Sequence, residues 1–84
     1  MRVTIDGRDY FSKTAAGLID EIKGMHFQAG ESATAEEYIA VQERMFRNMT
    51  GRTMELPETD TEARAEAMFQ AIAQIGAWDF SKEG

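Results

Sequence analysis

The sequence predicts an α+β domain in which an N-terminal β-hairpin packs on three helices. Three observations lead there. Residues 2–6 alternate polar and apolar and run into Asp6-Gly7; three later segments repeat apolar residues at helical spacing; and two of those segments open on Thr-x-x-Glu.

The hairpin is expected over Met1–Phe11. Val3 and Ile5 alternate with Arg2, Thr4 and Asp6. Asp6-Gly7 is a two-residue turn signal, because a type I′ turn requires positive φ at both central positions. With those two residues in the turn, Ile5 faces Arg8 and Val3 faces Tyr10. Val3, Ile5 and Tyr10 then share the buried face.

A first helix is predicted over Ala15–Met25, capped by Ser12 or Thr14. Ala15, Leu18, Ile19 and Ile22 form its apolar stripe, Gly24 marks its end, and Gln28-Ala29-Gly30 leads into a loop. The second helix begins after Thr34, which forms a capping box with Glu37, and runs to about Met49 with Gly51 just beyond. Tyr38, Val41, Met45 and Met49 are its expected stripe, widened by Ile39 and Phe46. Glu36 and Glu37 in the first turn, and Arg44 and Arg47 near the end, complement the helix dipole. Arg52–Leu56 is read as a short extended segment stopped by Pro57. A third helix follows, with Thr59 as N-cap and Glu62 completing a second box. Its stripe is Ala65, Met68, Ile72 and Ile75, with Phe69 beside it, and Gly76 closes it. Ala77-Trp78-Asp79-Phe80 is a candidate third strand.

Eighty-four residues suffice for one domain and are too few for two, so residues 1–84 are read as a single domain. A chain of this size buries only roughly 60–65% of its unfolded surface. No cysteine is present to staple it, so its stability rests on the core. Hydrophobic residues at 43% and charged residues at 29% describe a globular chain and not a disordered one. A net charge of −6 disfavours DNA, RNA and anionic lipid, all of which need a basic surface, and suits a protein partner with one. No apolar run is long enough to cross a bilayer, and the N-terminus reads as a strand without the apolar stretch of a signal peptide, so a cytoplasmic location is expected. Asn48-Met49-Thr50, a glycosylation pattern, is then coincidental.

The chain carries little that resembles catalytic machinery. It has one histidine, His26, no cysteine, and no serine in a Gly-x-Ser-x-Gly setting. His26 is expected to pack or to end a helix. Glu58, Asp60 and Glu62 alternate like the start of a calcium loop, but Ala63 and Phe69 stand where such a loop needs Gly and a bidentate Glu. Acidic residues favouring a helix N-terminus account for the run. Seven scattered glycines form no phosphate-binding loop. No catalytic, metal-binding or cofactor-binding residue is assigned, and no cofactor is expected.

Three surface features remain. Arg44, Arg47 and Arg52 form the one basic cluster, read as a solvated helix end in which Glu43 pairs with Arg47. Met25, Met45, Met49, Met54 and Met68 fall mostly on helix stripes and are expected to fill the core, while Trp78 and Phe80 are expected to close it over the hairpin. The third feature is acidic. Glu31, Glu36, Glu37 and Glu43, then Glu55, Glu58, Asp60, Glu62 and Glu66, form two runs that would make a negative patch if they met in space.

MRVTIDGRDY followed by a capped helix resembles the start of small uncharacterised proteins carried by bacterial prophages. TAEEYIAVQERMFRNMTGRTMEL and TDTEARAEAMFQAIAQIGA resemble their two later helices. The resemblance covers most of the chain and rests on Gly7, Tyr10, Glu37, Tyr38, Gly51 and Gly76. No functional motif accompanies it, so no site residue is carried over. It implies a bacterial or phage setting, in which small acidic proteins include stoichiometric inhibitors of host defence such as anti-CRISPR proteins.

The expected function is therefore a non-enzymatic protein-binding module that blocks or modulates a host protein with a basic surface. Glu36, Glu37, Glu58, Asp60 and Glu62 are the expected partner-binding residues. A structural or assembly role, as a small homo-oligomer held by the methionines, Trp78 and Phe80, is the second class. Direct DNA binding is disfavoured because no helix carries a basic recognition face.

Overall fold

A computed structural model of the chain describes residues 1–26 and 34–83. In order, the elements are β1 (Arg2–Ile5), β2 (Arg8–Phe11), α1 (Ala15–His26), α2 (Ala35–Thr50), α3 (Thr61–Gln74) and β3 (Asp79–Ser81). The predicted α+β architecture is observed, third strand included. The expected loop at Gln28-Ala29-Gly30, the acidic Glu31, and the side chains of Met25 and His26 lie outside the described residues.

The hairpin register is the predicted one, with Val3 opposite Tyr10 and Ile5 opposite Arg8. Asp6 at φ 52° and Gly7 at φ 81° supply the two positive dihedrals of the turn. Strand β3 pairs antiparallel with the other edge of β1, setting Phe80 opposite Val3, so the sheet order is β2-β1-β3. The third strand starts two residues later than predicted because the end of α3 still holds the preceding chain. Gly76 N–H donates to Ala73 O and Ala77 N–H donates to Ile72 O, with Gly76 at φ 79°. This is a Schellman closure, and the backbone extends only after it.

Helix α1 runs through Gly24 to His26. A glycine inside a helix costs about 1 kcal/mol relative to alanine, which weakens a helix without stopping it. The predicted stripe of Ala15, Leu18, Ile19 and Ile22 is buried. Thr14 caps α1: its Oγ1 accepts from Gly17 N–H at 2.9 Å. Helix α2 has the predicted capping box, with Thr34 Oγ1 accepting from Glu37 N–H and Glu37 Oε1 accepting from Thr34 N–H. It ends at Gly51, whose φ of 73° lets its N–H return to Arg47 O.

The buried face of α2 is rotated from the predicted one. Ile39 and Phe46, i and i+7, point into the core with Tyr38, while Met45 and Met49 are 50% and 65% exposed. These two methionines do not fill the core, whereas Met54 and Met68 do. Arg52–Leu56 forms no strand; it is an irregular segment that inserts Met54 into the core.

Helix α3 is the hub, touching α1, α2 and β3. Ala65, Met68, Phe69 and Ile72 are its buried face, with Ile75 partly buried. Phe69 is fully buried; Phe80 stacks on it at 5.5 Å between ring centroids and Trp78 lies tilted at 6.0 Å. Both C-terminal aromatics therefore close the core at its margin. No polar or charged residue is buried among the described residues.

Candidate partner-binding surface

The N-terminal ends of α2 and α3 lie side by side, so the two acidic runs meet. Glu36, on the first turn of α2, accepts hydrogen bonds from Thr61 Oγ1 at 2.8 Å and from Arg64 Nε at 3.0 Å. Arg64 sits at the centre of this junction. Its Nη1 donates to Pro57 O at 2.6 Å, and its Nη2 is 3.9 Å from Glu43 Oε1. Glu43 thus reaches across to α3, in place of the expected partner Arg47 on its own helix. One arginine ties α2, α3 and the intervening segment together.

The five expected binding residues occupy this region in different ways. Glu37 is engaged in the α2 capping box. Asp60, and not Thr59, is the N-cap of α3, with Oδ1 accepting from Glu62 N–H at 3.2 Å. It takes a positive φ of 71°, a region that Asp and Asn tolerate better than most residues. Glu62 does not form the expected box with Thr59. Its carboxylate turns to α1 and accepts from Ala15 N–H at 2.6 Å and Ala16 N–H at 3.0 Å. Two amides left open at the start of one helix are therefore satisfied by the first turn of another. Glu58 is exposed and has no hydrogen-bond or ion-pair partner among the described residues.

The result is an acidic pole in which Glu36, Glu37, Glu58 and Asp60 are solvent-exposed and Glu62 is half-buried. A carboxylate that caps a helix or pairs with one arginine still presents a free oxygen edge to solvent. Glu58, Asp60 and Glu62 do not converge like calcium ligands, and the described residues contain no group of three or more His, Asp or Glu side chains placed to hold a metal ion. No described helix is long and apolar enough to cross a membrane.

Two grooves lie toward the other end of α2. An open one of about 560 Å³ separates the segment after α2 from α3 and is lined by Phe46, Arg52, Met54, Glu55, Gln70 and Ile75. A smaller apolar one of about 70 Å³ is bordered by Met45, Met49, Ile75, Ala77 and Trp78. Sequence reasoning named the methionines, Trp78 and Phe80 as the second, self-associating surface; Met45, Met49 and Trp78 border this groove and Phe80 does not. Met45 and Met49 were expected in the core because their helical row lies beside the one that joins Ile39 and Phe46.

No protein-family model, curated protein or solved structure matches the chain.

Proposed function

We propose that the protein is a non-enzymatic binding module that docks its acidic pole on a basic surface of a host protein and blocks or modulates it. Phage or mobile-element origin and anti-CRISPR-like inhibition are the sharpest form of this reading. The observation that supports it is the junction of Glu36 with Thr61 and Arg64, which joins the acidic starts of two helices into one surface. Glu37, Glu58 and Asp60 extend that surface into solvent, and the net charge of −6 adds long-range attraction for a cationic partner. Such a surface competes with nucleic acid for a phosphate-binding face by offering carboxylates where phosphates would sit.

The test compares wild type with Glu36→Gln/Glu37→Gln/Glu58→Gln/Asp60→Asn, in which amides keep the capping acceptors and lose the charge. Glu62 is left intact because it caps α1. The two immobilised proteins are exposed to nuclease-treated bacterial lysate and eluted with a salt gradient. A stoichiometric partner retained by the wild type, released by salt and lost on the amide variant is the expected result. Equal retention on both proteins, or a complex indifferent to salt, overturns the acidic-pole mechanism, since exposed charge contacts are screened over about 8 Å at physiological salt.

A further inference from the structure

We propose that the open groove between the segment after α2 and α3 is a docking site for an extended strand of a partner protein, recognised through its main chain. The first wall points to this occupant. The N–H and C=O groups of residues 53–56 have no hydrogen-bond partner among the described residues. Unpaired main chain is ordinary on an exposed loop, but Met54 is only 4% exposed and its side chain belongs to the core. Buried main-chain groups are nearly always paired. The segment is also held in place. Arg52 N–H donates to Thr50 Oγ1 at 3.1 Å, Pro57 O accepts from Arg64 Nη1 at 2.6 Å, and Met54 anchors the stretch between them. This wall offers open main chain as the edge of a sheet does, and it is ordered before anything binds.

The opposite wall is α3. Gln70 and Gln74 stand i, i+4 on one helical row, both exposed and neither with a hydrogen-bond partner among the described residues. A carboxamide carries a donor and an acceptor, the same pair that a peptide group presents. On the neighbouring row Ala67 and Ala71 also line the groove, and their short side chains let a strand lie close to the helix. A strand placed here would have open main chain on one side and two side-chain amides on the other. The volume of about 560 Å³ lies in the range of sites that enclose small ligands and short peptide segments. Arg52 and Glu55, opposite in sign, stand on the same wall, so the groove selects neither an acidic nor a basic occupant. Recognition through the main chain, as when a peptide adds to a sheet edge, needs no such selection. None of Glu36, Glu37, Glu58 and Asp60 lines this groove, so it is a surface apart from the acidic pole.

The probe is an uncharged, end-capped hexapeptide alternating threonine and valine, which favours the extended conformation. Its control is the fully N-methylated hexapeptide, with the same side chains and no main-chain donors. Amide NMR spectra of the whole chain are followed as each is added at millimolar concentration. The unmethylated peptide is expected to shift the main-chain amides of residues 53–56 and the side-chain amides of Gln70 and Gln74 saturably. Hydrogen exchange is expected to slow at alternate amides of residues 53–56, since a paired strand binds its neighbour through every second residue. Gln70→Ala/Gln74→Ala is expected to weaken binding about tenfold, as loss of two neutral hydrogen bonds would. Alanine at two exposed helical positions keeps the fold, which circular dichroism checks. Amides left unmoved by the unmethylated peptide mean that solvent alone fills the groove and overturn the proposal. Equal binding of the N-methylated peptide, or equal affinity for the glutamine variant, overturns it as well. Shifts at residues 53–56 that follow protein concentration without peptide assign the groove to a second copy and overturn it too.

Discussion

The carboxylate of Glu62 meets two amide protons on a helix 46 and 47 residues away in sequence. Removing it leaves two N–H groups at a partly buried helix start without acceptors. Glu62→Ala is therefore expected to cost about 1–3 kcal/mol. Glu58→Ala, which breaks no contact among the described residues, should stay within about 0.5 kcal/mol of wild type. Urea unfolding midpoints of the two variants check this contrast. Tyr38 gives a pH prediction. Burial, with a smaller contribution from Tyr10, raises its phenol well above the ordinary value of 10.0. The folded chain then holds the phenol neutral where the unfolded chain has ionised. That stabilisation is complete below about pH 10 and is lost as pH climbs from there toward the folded value. Thermal midpoints followed from about pH 8 to about pH 11 should fall steeply in the wild type, and less steeply in Tyr38→Phe, which has no phenolic proton to lose.

Helix α2 shows how much of the structure can be read from local pattern. Its capping box and glycine stop were legible because each is complete within a few residues, and the Asp6-Gly7 hairpin was legible for the same reason. Its buried face was not. Two neighbouring helical rows are both apolar, and the choice between them depends on where α3 lies. Position 62 was misread on similar grounds: Thr59 and Glu62 have the spacing of a box, but the nearer acceptorless amides belong to α1. The convergence of the acidic runs, likewise, depends on Arg64 bridging two helices. The methionines separate the two kinds of row experimentally. Met68→Ala and Met54→Ala empty core positions and should each cost about 2–5 kcal/mol. Met45→Gln and Met49→Gln should change stability by no more than about 0.5 kcal/mol, as surface substitutions do. Gly51→Ala should cost about 1 kcal/mol: an added Cβ would meet no atom within 4 Å, so only the left-handed backbone opposes it. Chemical denaturation of this set ranks the rows directly.

At the scale of the whole molecule, the domain is 28 × 27 × 24 Å, so a helix as long as α2 sets acidic and basic ends on opposite sides. The core that joins them depends on the C-terminal aromatics as well as on the helices. Deleting residues 79–84 removes the Phe80 ring from Phe69 and uncovers one edge of β1. The shortened chain is expected to unfold at lower temperature and to self-associate, which scattering during a thermal ramp would record. The sheet order also carries a consequence for biosynthesis. Strand β1 gains its first neighbour as soon as the Asp6-Gly7 turn is made, but Thr4 waits for Asp79. At a translation rate of about 5–20 residues per second, that interval is on the order of 4–15 s. Throughout it, a growing chain presents an open strand edge to its neighbours on the same message, so dense polysome loading is a greater hazard to this small protein than its finished stability would suggest.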